Sequence, residues 1–305
     1  MSKNLVSIIT PCYNGEKYIS KLLDSVLSQT YSSIEMFIID DGSTDKSADI
    51  IKAYIPKFKK RGFNLEYIYQ PNQGQSVAIN NALKMVKGDY VVWPDADDYY
   101  ATPETIEKMV NLLNKTGDDT SMVRVYYNVL DEKDNKIGSF DDSDATRYKT
   151  DLFEDCLFEY GKGFWGVAGG YMAKMSKVDE RIPGREIYTE RHAGQNYQLA
   201  LPLLYKYKCV TIEEYLYNLV VHDDSHSRNL STGDKRQMIY RRTIKKTLST
   251  LALEKEYKKY LLKRIDDVTE KNMVKKPKFP YRTYLKRIVR GVLPHGIIVL
   301  YRRGR

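Results

Sequence analysis

The stretch Val91-Val-Trp-Pro-Asp-Ala-Asp-Asp98 places three carboxylates directly after an apolar run that begins at Tyr90. Such a run is typical of a buried strand, and ligands in open α/β sheets bind at the carboxyl ends of the strands. Clustered carboxylates repel one another, and Mg²⁺ or Mn²⁺ commonly bridges one or two carboxylates to a substrate diphosphate. The alternative is a solvated acidic turn that starts the next helix, near Thr102-Pro-Glu104. The stretch alone leaves both interpretations open.

Three strand–helix units come before this stretch. The predicted strands lie at 6–10, 34–39, 65–69 and 90–93, and the predicted helices lie at 19–27, 50–58 and 76–86. Pro56 is expected to mark the frayed end of the second helix. This alternation predicts an α/β fold with a parallel sheet covered on both faces. Right-handed crossovers would bring the loops at 11–15, 40–45 and 95–98 to one edge of that sheet.

The charge of the chain is concentrated near its C-terminus. The net charge is +9, but residues 255–305 carry 16 Lys and Arg against 4 Asp and Glu, whereas residues 1–254 carry 33 against 36. Between residues 281 and 292 the apolar side chains share one helical face and basic ones occupy the others, which suits an anionic membrane surface. The alternatives are a helix packed on the body of the protein and a dimer contact, which leaves an oligomer open. No nucleic-acid-reading motif accompanies the charge, so nucleic acid is not an expected partner.

Cysteine usage and hydropathy predict a cytoplasmic protein. Cys12, Cys156 and Cys209 are odd in number and far apart, which is typical of a reduced compartment. The N-terminal residues enter a strand directly and show no signal-peptide pattern. No apolar run approaches the ~20 residues that a membrane-spanning helix needs.

Five motifs in order resemble family 2 glycosyltransferases with the GT-A fold. They are Val6-Ser-Ile-Ile-Thr-Pro-Cys-Tyr-Asn-Gly-Glu-Lys-Tyr-Ile19, Gln29-Thr-Tyr31, Ile38-Ile-Asp-Asp-Gly-Ser-Thr-Asp45, Asn72-Gln-Gly-Gln-Ser76 and Asp95-Ala-Asp-Asp98. The resemblance covers about residues 4–100 and continues more weakly to about 230. It implies a Rossmann-like mixed sheet flanked by helices, an inverting reaction, and a role of the kind found in bacterial surface-polysaccharide synthesis.

The resemblance also implies roles for individual residues of the nucleotide-sugar half. Pro11, Tyr13 and Asn14 would pack on the nucleotide base, and Asp40 and Asp41 would reach the uracil edge or the ribose. A carboxylate accepts a hydrogen bond from the ring N–H, which favours uracil. Asp95 would touch the ribose or the metal, and Asp97 would hold Mn²⁺ or Mg²⁺ on the diphosphate, where the ion assists departure of UDP. Asp45 is expected to be a local helix cap, and Asp98 a turn and helix-start residue.

The third loop departs from the family pattern. Many relatives carry an Arg just before the Asn of the following helix, whereas Ile79 precedes Asn80 here. The stretch from Gly74 resembles a subgroup in which backbone N–H groups at the helix start face the ligand.

The acceptor half is less clearly patterned. Residues 131–148 predict a hairpin or a mobile loop, and Gly161-Lys-Gly-Phe-Trp-Gly166 follows a helical pattern, so it is no dinucleotide motif. Trp165 is either a sugar-stacking platform or core. His226 resembles the C-terminal histidine that sometimes completes the metal coordination shell in GT-A enzymes. His222 is the other candidate for that role. The alternative for both residues is a position in a surface loop.

The sequence departs from the family pattern at the catalytic base. Inverting relatives place a Glu-Asp pair at the start of a helix that here begins Gln195-Asn196, and neither amide can act as a base. Glu190 is the candidate base, and the alternative is a surface Glu paired with Arg191. Gln195 and Asn196 could still orient the acceptor.

Together these features predict a catalytic domain at 1–230, with a nucleotide-sugar half at 1–100 and an acceptor half at 101–230. A basic helical extension would occupy 231–305. The predicted enzyme is a metal-dependent hexosyltransferase that moves sugar from a UDP-sugar to a glycan acceptor, lipid-linked and at the inner face of the cell membrane. The alternatives are a nucleotidyltransferase with a similar sheet and a non-catalytic nucleotide-sugar or membrane-binding module.

Overall fold

A computed structural model describes residues 4–141, 148–158, 167–190, 193–222 and 233–274. The strands are β1 (Val6–Cys12), β2 (Ile34–Asp40), β3 (Asn64–Tyr69), β4 (Tyr90–Val92), β5 (Tyr99–Tyr100), β6 (Thr120–Asp131), β7 (Lys136–Phe140), β8 (Tyr171–Lys174) and β9 (Lys208–Val221). The helices are α1 (Ile19–Leu27), α2 (Ser47–Arg61), α3 (Gln75–Met85), α4 (Thr105–Leu113), α5 (Phe153–Phe158), α6 (Met175–Arg181), α7 (Gln195–Leu204), α8 (Gly233–Ser249) and α9 (Lys255–Val274).

These strands form one sheet in the order β3-β2-β1-β4-β8-β6-β9-β5, with β7 paired to β6. β1 pairs in parallel with β2 and β4, and β2 pairs in parallel with β3, which confirms the predicted parallel half. β8 runs antiparallel to both β4 and β6, so the whole sheet is mixed. The hairpin of β6 and β7 confirms one of the two expectations for residues 131–140, whereas residues 142–147 lie outside the described residues.

Periodicity in the first half explains why these elements form. Strands β1 and β2 are buried at every position, as expected for strands covered on both faces. Helix α1 buries Ile19, Leu22, Leu23 and Val26, which lie on one face at helical spacing. The parallel register pairs Cys12 with Asp40, so the loops that follow β1 and β2 leave the sheet side by side.

One predicted helix end is wrong. Helix α2 continues through Pro56 to Arg61 and ends at Gly62, whose left-handed backbone (φ 85°) closes the last turn. Pro56 lies on the solvent side, where water can hydrogen-bond the carbonyl that the proline leaves without a backbone donor.

The C-terminal helices α8 and α9 pack on the acceptor half. Ile244, Leu248, Leu261 and Ile265 are buried and belong to the same hydrophobic core as the sheet. Within the described residues, no helix is both long and apolar enough to cross a membrane. The basic segment at 275–305 lies outside the described residues, and the domain boundary near 230 stays a prediction.

Candidate active site

The side chain of Asp95 joins two helix N-termini at the carboxyl end of β4. Its Oδ1 accepts hydrogen bonds from Gln75 Nε2 and from Gln195 Nε2, both at 3.0 Å. Gln75 is the first residue of α3 and Gln195 is the first residue of α7. The nucleotide-sugar half and the acceptor half therefore meet at one carboxylate.

The carboxyl groups of Asp95 and Asp97 lie close enough to influence each other's ionisation. Burial first, and then the charge of Asp97, raise the pKa of Asp95 to about 7, although the two glutamine amides oppose the shift. The same two causes raise the pKa of Asp98 well above its usual range. A positive charge bound beside these groups would stabilise their ionised forms.

Asp97 lies against His222, the residue that directly follows β9. Its Oδ2 is 2.8 Å from His222 Nε2, and His222 is 5% exposed. The imidazole stacks on Tyr18 with ring centroids 4.3 Å apart, and the Tyr18 hydroxyl donates to Glu132 at 2.8 Å. Of the two histidines that the sequence left open, His222 is thus at the acidic cluster, whereas His226 lies outside the described residues.

The third carboxylate has a structural role that the sequence did not predict. Asp98 is buried, and its Oδ1 accepts a hydrogen bond from the Val220 N–H at 2.9 Å. The next helix, α4, begins only at Thr105. Asp98 therefore joins the loop to β9, and its assignment as a helix-start residue is wrong.

The donor groups suit a divalent cation that is shared with a diphosphate. Asp97 keeps 31% of its side chain exposed and faces an imidazole nitrogen. Among the residues that the structure describes, no three His, Cys, Asp or Glu side chains are grouped to hold an ion by themselves. Mg²⁺ and Mn²⁺ sites of the shared kind need only one or two protein carboxylates, because phosphate and water oxygens complete the shell. Asp97 with Asp95 or His222 fits that requirement.

The predicted nucleotide carboxylates are both nearly fully buried. Asp40 accepts hydrogen bonds from the Ser43 N–H at 2.8 Å and from the Tyr67 hydroxyl at 2.7 Å. Asp41 accepts from Gln70 Nε2 and from the backbone N–H groups of Gln73 and Gly74, at 2.7 to 2.9 Å. Asp41 therefore shapes the loop before α3, which includes Gly74 in a left-handed conformation (φ 95°). Direct contact of Asp40 or Asp41 with a nucleotide stays a prediction.

The loop after β1 presents an aromatic face at the same edge. Pro11 is buried within β1, whereas Tyr13 is 54% exposed. Asn14 adopts a left-handed backbone (φ 51°), and its Oδ1 accepts from the Thr44 N–H at 2.9 Å, which joins the first two edge loops. Asp45 accepts from the Ser47 N–H at 3.0 Å at the first residue of α2, although the N-cap position itself is Lys46, so the expected helix cap is met only in part.

Helix α3 also holds the segment that leads into α7. Asn80 Nδ2 donates to the Ile187 carbonyl, and Asn80 Oδ1 accepts from the Ile187 N–H, both at 2.9 Å. The Ser76 hydroxyl donates to the carbonyl of Ala193. Ile79, where the family resemblance led us to expect an Arg, is thus next to Asn80, which ties α3 to Ile187.

Sequence reasoning missed the roles of Gln75 and Tyr18. Gln75 stands at the start of a predicted helix that follows an edge loop, so its position near the ligand edge was available from the pattern. The stacking of Tyr18 on His222 links residues separated by more than 200 positions, and no local signal predicts it.

The candidate base, Glu190, has partners other than the expected one. Arg242 Nε donates to Glu190 Oε2 at 2.8 Å, a second guanidinium nitrogen of Arg242 contacts Oε1, and the Tyr188 hydroxyl donates to Oε2 at 3.2 Å. Arg191, the partner considered from sequence, lies outside the described residues. The role of Glu190 as base stays a prediction.

Comparison with known sequences gives consistent matches. The model of the family described as Glycosyl transferase family 2 matches residues 7–181. An uncharacterized glycosyltransferase of Rickettsia typhi is 38% identical over 133 residues, which is 44% of this chain and 39% of the relative. Glycosyltransferase GlyA of Streptococcus pneumoniae is 42% identical over 94 residues, which is 31% of this chain and 13% of the relative. The matched region spans about two fifths or less of these relatives.

Solved structures share the fold at low sequence identity. TarS 1–349 of S. aureus, in complex with UDP-GlcNAc, has a TM-score of 0.64 and 18% identity, and the match covers 86% of this chain and 71% of that one. The mannosyltransferase PcManGT of Pyrobaculum calidifontis, in complex with GDP-Man and Mn²⁺, has a TM-score of 0.55 and 15% identity, with coverages of 97% and 82%.

Proposed function

The chain belongs to glycosyl transferase family 2 and has the GT-A fold of its structural neighbours, and from that premise we propose that it transfers the sugar of a UDP-sugar to a hydroxyl group of a glycan acceptor. The observation that carries this proposal is the grouping of Asp95, Asp97 and His222 at one edge of the sheet. The strands β1 and β2 end at the same edge. That edge is where α/β sheets bind nucleotides.

The donor would bind across the edge loops. Tyr13, with its exposed ring, would pack on the base together with Pro11 and Asn14. Asp40, Asp41 and Gly74 would line the uracil and ribose side. Asp97 and Asp95, completed by His222 or His226, would hold Mn²⁺ or Mg²⁺. The ion would offset the charge that develops on the departing diphosphate.

The reaction proposed is a single displacement with inversion. The acceptor oxygen forms a bond to the anomeric carbon while the bond from that carbon to the diphosphate breaks, and UDP leaves with the bonding pair. The acceptor proton passes to a base, for which Glu190 is the candidate. Gln195 and Asn196, at the start of α7, would orient the acceptor. The TarS structure with UDP-GlcNAc supports a UDP-sugar as the first donor to test.

We place the acceptor among lipid-linked glycans of the bacterial surface and the enzyme at the inner face of the cell membrane. The basic composition of residues 255–305 supports this location, since anionic headgroups attract such segments by about 1 kcal/mol per basic residue.

A non-catalytic nucleotide-sugar-binding module is the second candidate. Asn196 stands where inverting relatives place the Asp that acts as base, and an amide cannot take that role. A nucleotidyltransferase is less well supported, because the loop after β1 lacks a Gly-rich, basic phosphate-binding sequence.

The test measures UDP release from UDP-GlcNAc, UDP-glucose and UDP-galactose. GDP release from GDP-mannose is the control for the choice of nucleobase. Asp97→Asn should lose at least 100-fold of the Mn²⁺-dependent rate, since a neutral amide is a poor ligand for a hard cation. Asp119→Asn is the matched control, because Asp119 is an exposed partner of Lys208. Binding of UDP without any release would favour the non-catalytic module. Full activity of Asp97→Asn would refute the proposed site.

A further inference from the structure

Helix α8 of the C-terminal extension packs directly on the acceptor side of the site. Tyr240 of α8 meets Tyr197 of α7 edge-to-face, with ring centroids 5.2 Å apart. Ile244 and Leu248 of the same helix are buried in the common core. The extension up to residue 249 is therefore fixed in place beside α7.

From this helix Arg242 reaches the segment before α7. Its guanidinium contacts both carboxylate oxygens of Glu190, which is the two-point geometry that fixes the orientation of both groups. The side chain of Arg242 is 54% exposed, whereas that of Glu190 is 23% exposed. A partly exposed ion pair contributes measurably only when its geometry is well defined, as in a two-point Arg–carboxylate contact, so the effect of this pair on the reaction would come through geometry.

Other contacts hold the same turn. The Tyr188 hydroxyl donates to Glu190, and the Lys246 ammonium lies 5.8 Å from the centre of the Tyr188 ring. Gln198 Nε2 donates to the carbonyls of Tyr188 and Gly194, at 3.0 and 3.2 Å. The described residues on either side of positions 191–192, which are Tyr188 to Glu190 and Ala193 to Gly194, are thus held by α8 on one side and by α7 on the other.

This turn ends at the acidic cluster. The Ala193 N–H donates to the Glu190 carbonyl at 2.9 Å, and the Ala193 carbonyl accepts from Ser76. Two residues later, Gln195 donates to Asp95. Glu190 and Gln195 are therefore the two ends of one short connection, and Arg242 holds the end that is farther from the acidic cluster.

We propose that Arg242 is a positioning residue of the active site: by holding Glu190 it fixes the turn that delivers Gln195 to Asp95. The extension then forms part of the acceptor side of the site. This inference deepens the proposed glycosyl transfer, and it does not require Glu190 to be the base.

The first test is steady-state UDP release with Mn²⁺ and the best UDP-sugar of the donor panel. Arg242→Ala should lower kcat about tenfold and leave KM for the donor within twofold, because Arg242 binds Glu190 and not, among the described residues, the loops after β1, β2 or β3. Arg242→Lys should recover only part of the rate, since an ammonium lacks the two-point geometry. The matched control is Arg241→Ala, because Arg241 pairs with Asp266 inside the extension; its kcat should stay within twofold.

The decisive variant exchanges the two charges, Glu190→Arg with Arg242→Glu, and is measured by amide hydrogen exchange because Glu190 is also the candidate base. Exchange in the peptide covering 186–198 that returns to within twofold of the wild-type rate supports positioning through the ion pair. Exchange that stays as fast as in Arg242→Ala overturns it. Equal rates for Arg242→Ala and Arg241→Ala overturn it as well.

Amide hydrogen exchange tests the role of Arg242 independently of whether the protein releases UDP. Arg242→Ala should accelerate amide exchange in the peptide covering 186–198 by at least fivefold, whether or not the wild-type protein releases UDP. Unchanged exchange there would overturn the inference even in an active enzyme, whereas absent UDP release in the wild type would count against the proposed function alone.

Discussion

Replacing Asn80 by alanine removes the side chain that ties α3 to the segment before α7. Asn80 is 8% exposed and Ile187 is 7% exposed. Both hydrogen bonds of the Asn80 amide go to the backbone of Ile187. Because water has little access to these groups, Asn80→Ala leaves one buried N–H and one buried C=O without a partner.

The expected cost follows from those two groups. Leaving a buried polar group unpaired costs about 1–3 kcal/mol, so the two groups together should lower the free energy of unfolding of Asn80→Ala by about 2–6 kcal/mol. For a chain of this size, 1 kcal/mol corresponds to roughly 2–4 °C in melting temperature, so the midpoint should fall by roughly 4–24 °C. Asn80→Asp should cost at least as much, because it places a carboxylate oxygen against the Ile187 carbonyl.

Urea unfolding followed by circular dichroism measures the effect. The matched control is Lys84→Ala on the same helix, since Lys84 forms an exposed ion pair with Glu186 and leaves no buried group unpaired. The control should lose no more than about 1 kcal/mol. If the two alanine variants unfold at the same urea concentration, the clamp between α3 and the 187 segment does not contribute as argued.

Three further outcomes are expected. Gly169→Ala should lose about 1–3 kcal/mol or more of stability in thermal unfolding, because an added Cβ would overlap the ring of the fully buried Tyr217. Gly194→Ala has open space around its Cβ position and should be nearly neutral, so equal midpoints of the two variants would contradict this. Asp41→Asn should cost about 1.5–3 kcal/mol in urea unfolding, because it weakens charge-assisted hydrogen bonds to the loop that includes Gly74; an unchanged midpoint would count against the loop-shaping role. Removing divalent cations with EDTA should abolish UDP release and added Mn²⁺ should restore it, so a rate that persists in EDTA would exclude the metal role.

Local patterns were sufficient to predict the first half of the fold. Fully buried apolar runs and helical spacing depend only on neighbouring residues, and they predicted β1 to β4 with α1 to α3 at nearly their observed bounds. The parallel pairing then followed from the connections, which placed the acidic loops on one edge. Pro56 was misjudged because an exposed helix position tolerates a proline better than the general rule suggests.

Contacts between distant parts of the chain could not be predicted in the same way. Gln195 reaches Asp95 across 100 positions, and His222 reaches Asp97 across 125. Such contacts depend on how the two halves pack, and neither periodicity nor motif spacing encodes that packing. Asp98 is a further example, because its place in the sequence suggested a turn residue. Its hydrogen bond to β9 depends on the order of the strands in the sheet, which the local sequence does not predict.

The dissociation constant of UDP, measured by calorimetry in Mn²⁺ and again in EDTA, tests most directly whether the acidic edge is a nucleotide-diphosphate site. The wild-type protein and Asp119→Asn should bind UDP at least tenfold more tightly in Mn²⁺ than in EDTA. Asp97→Asn should lose that difference while keeping its melting temperature. Equal UDP affinity of Asp97→Asn and the wild-type protein in Mn²⁺ would contradict the assignment of the site.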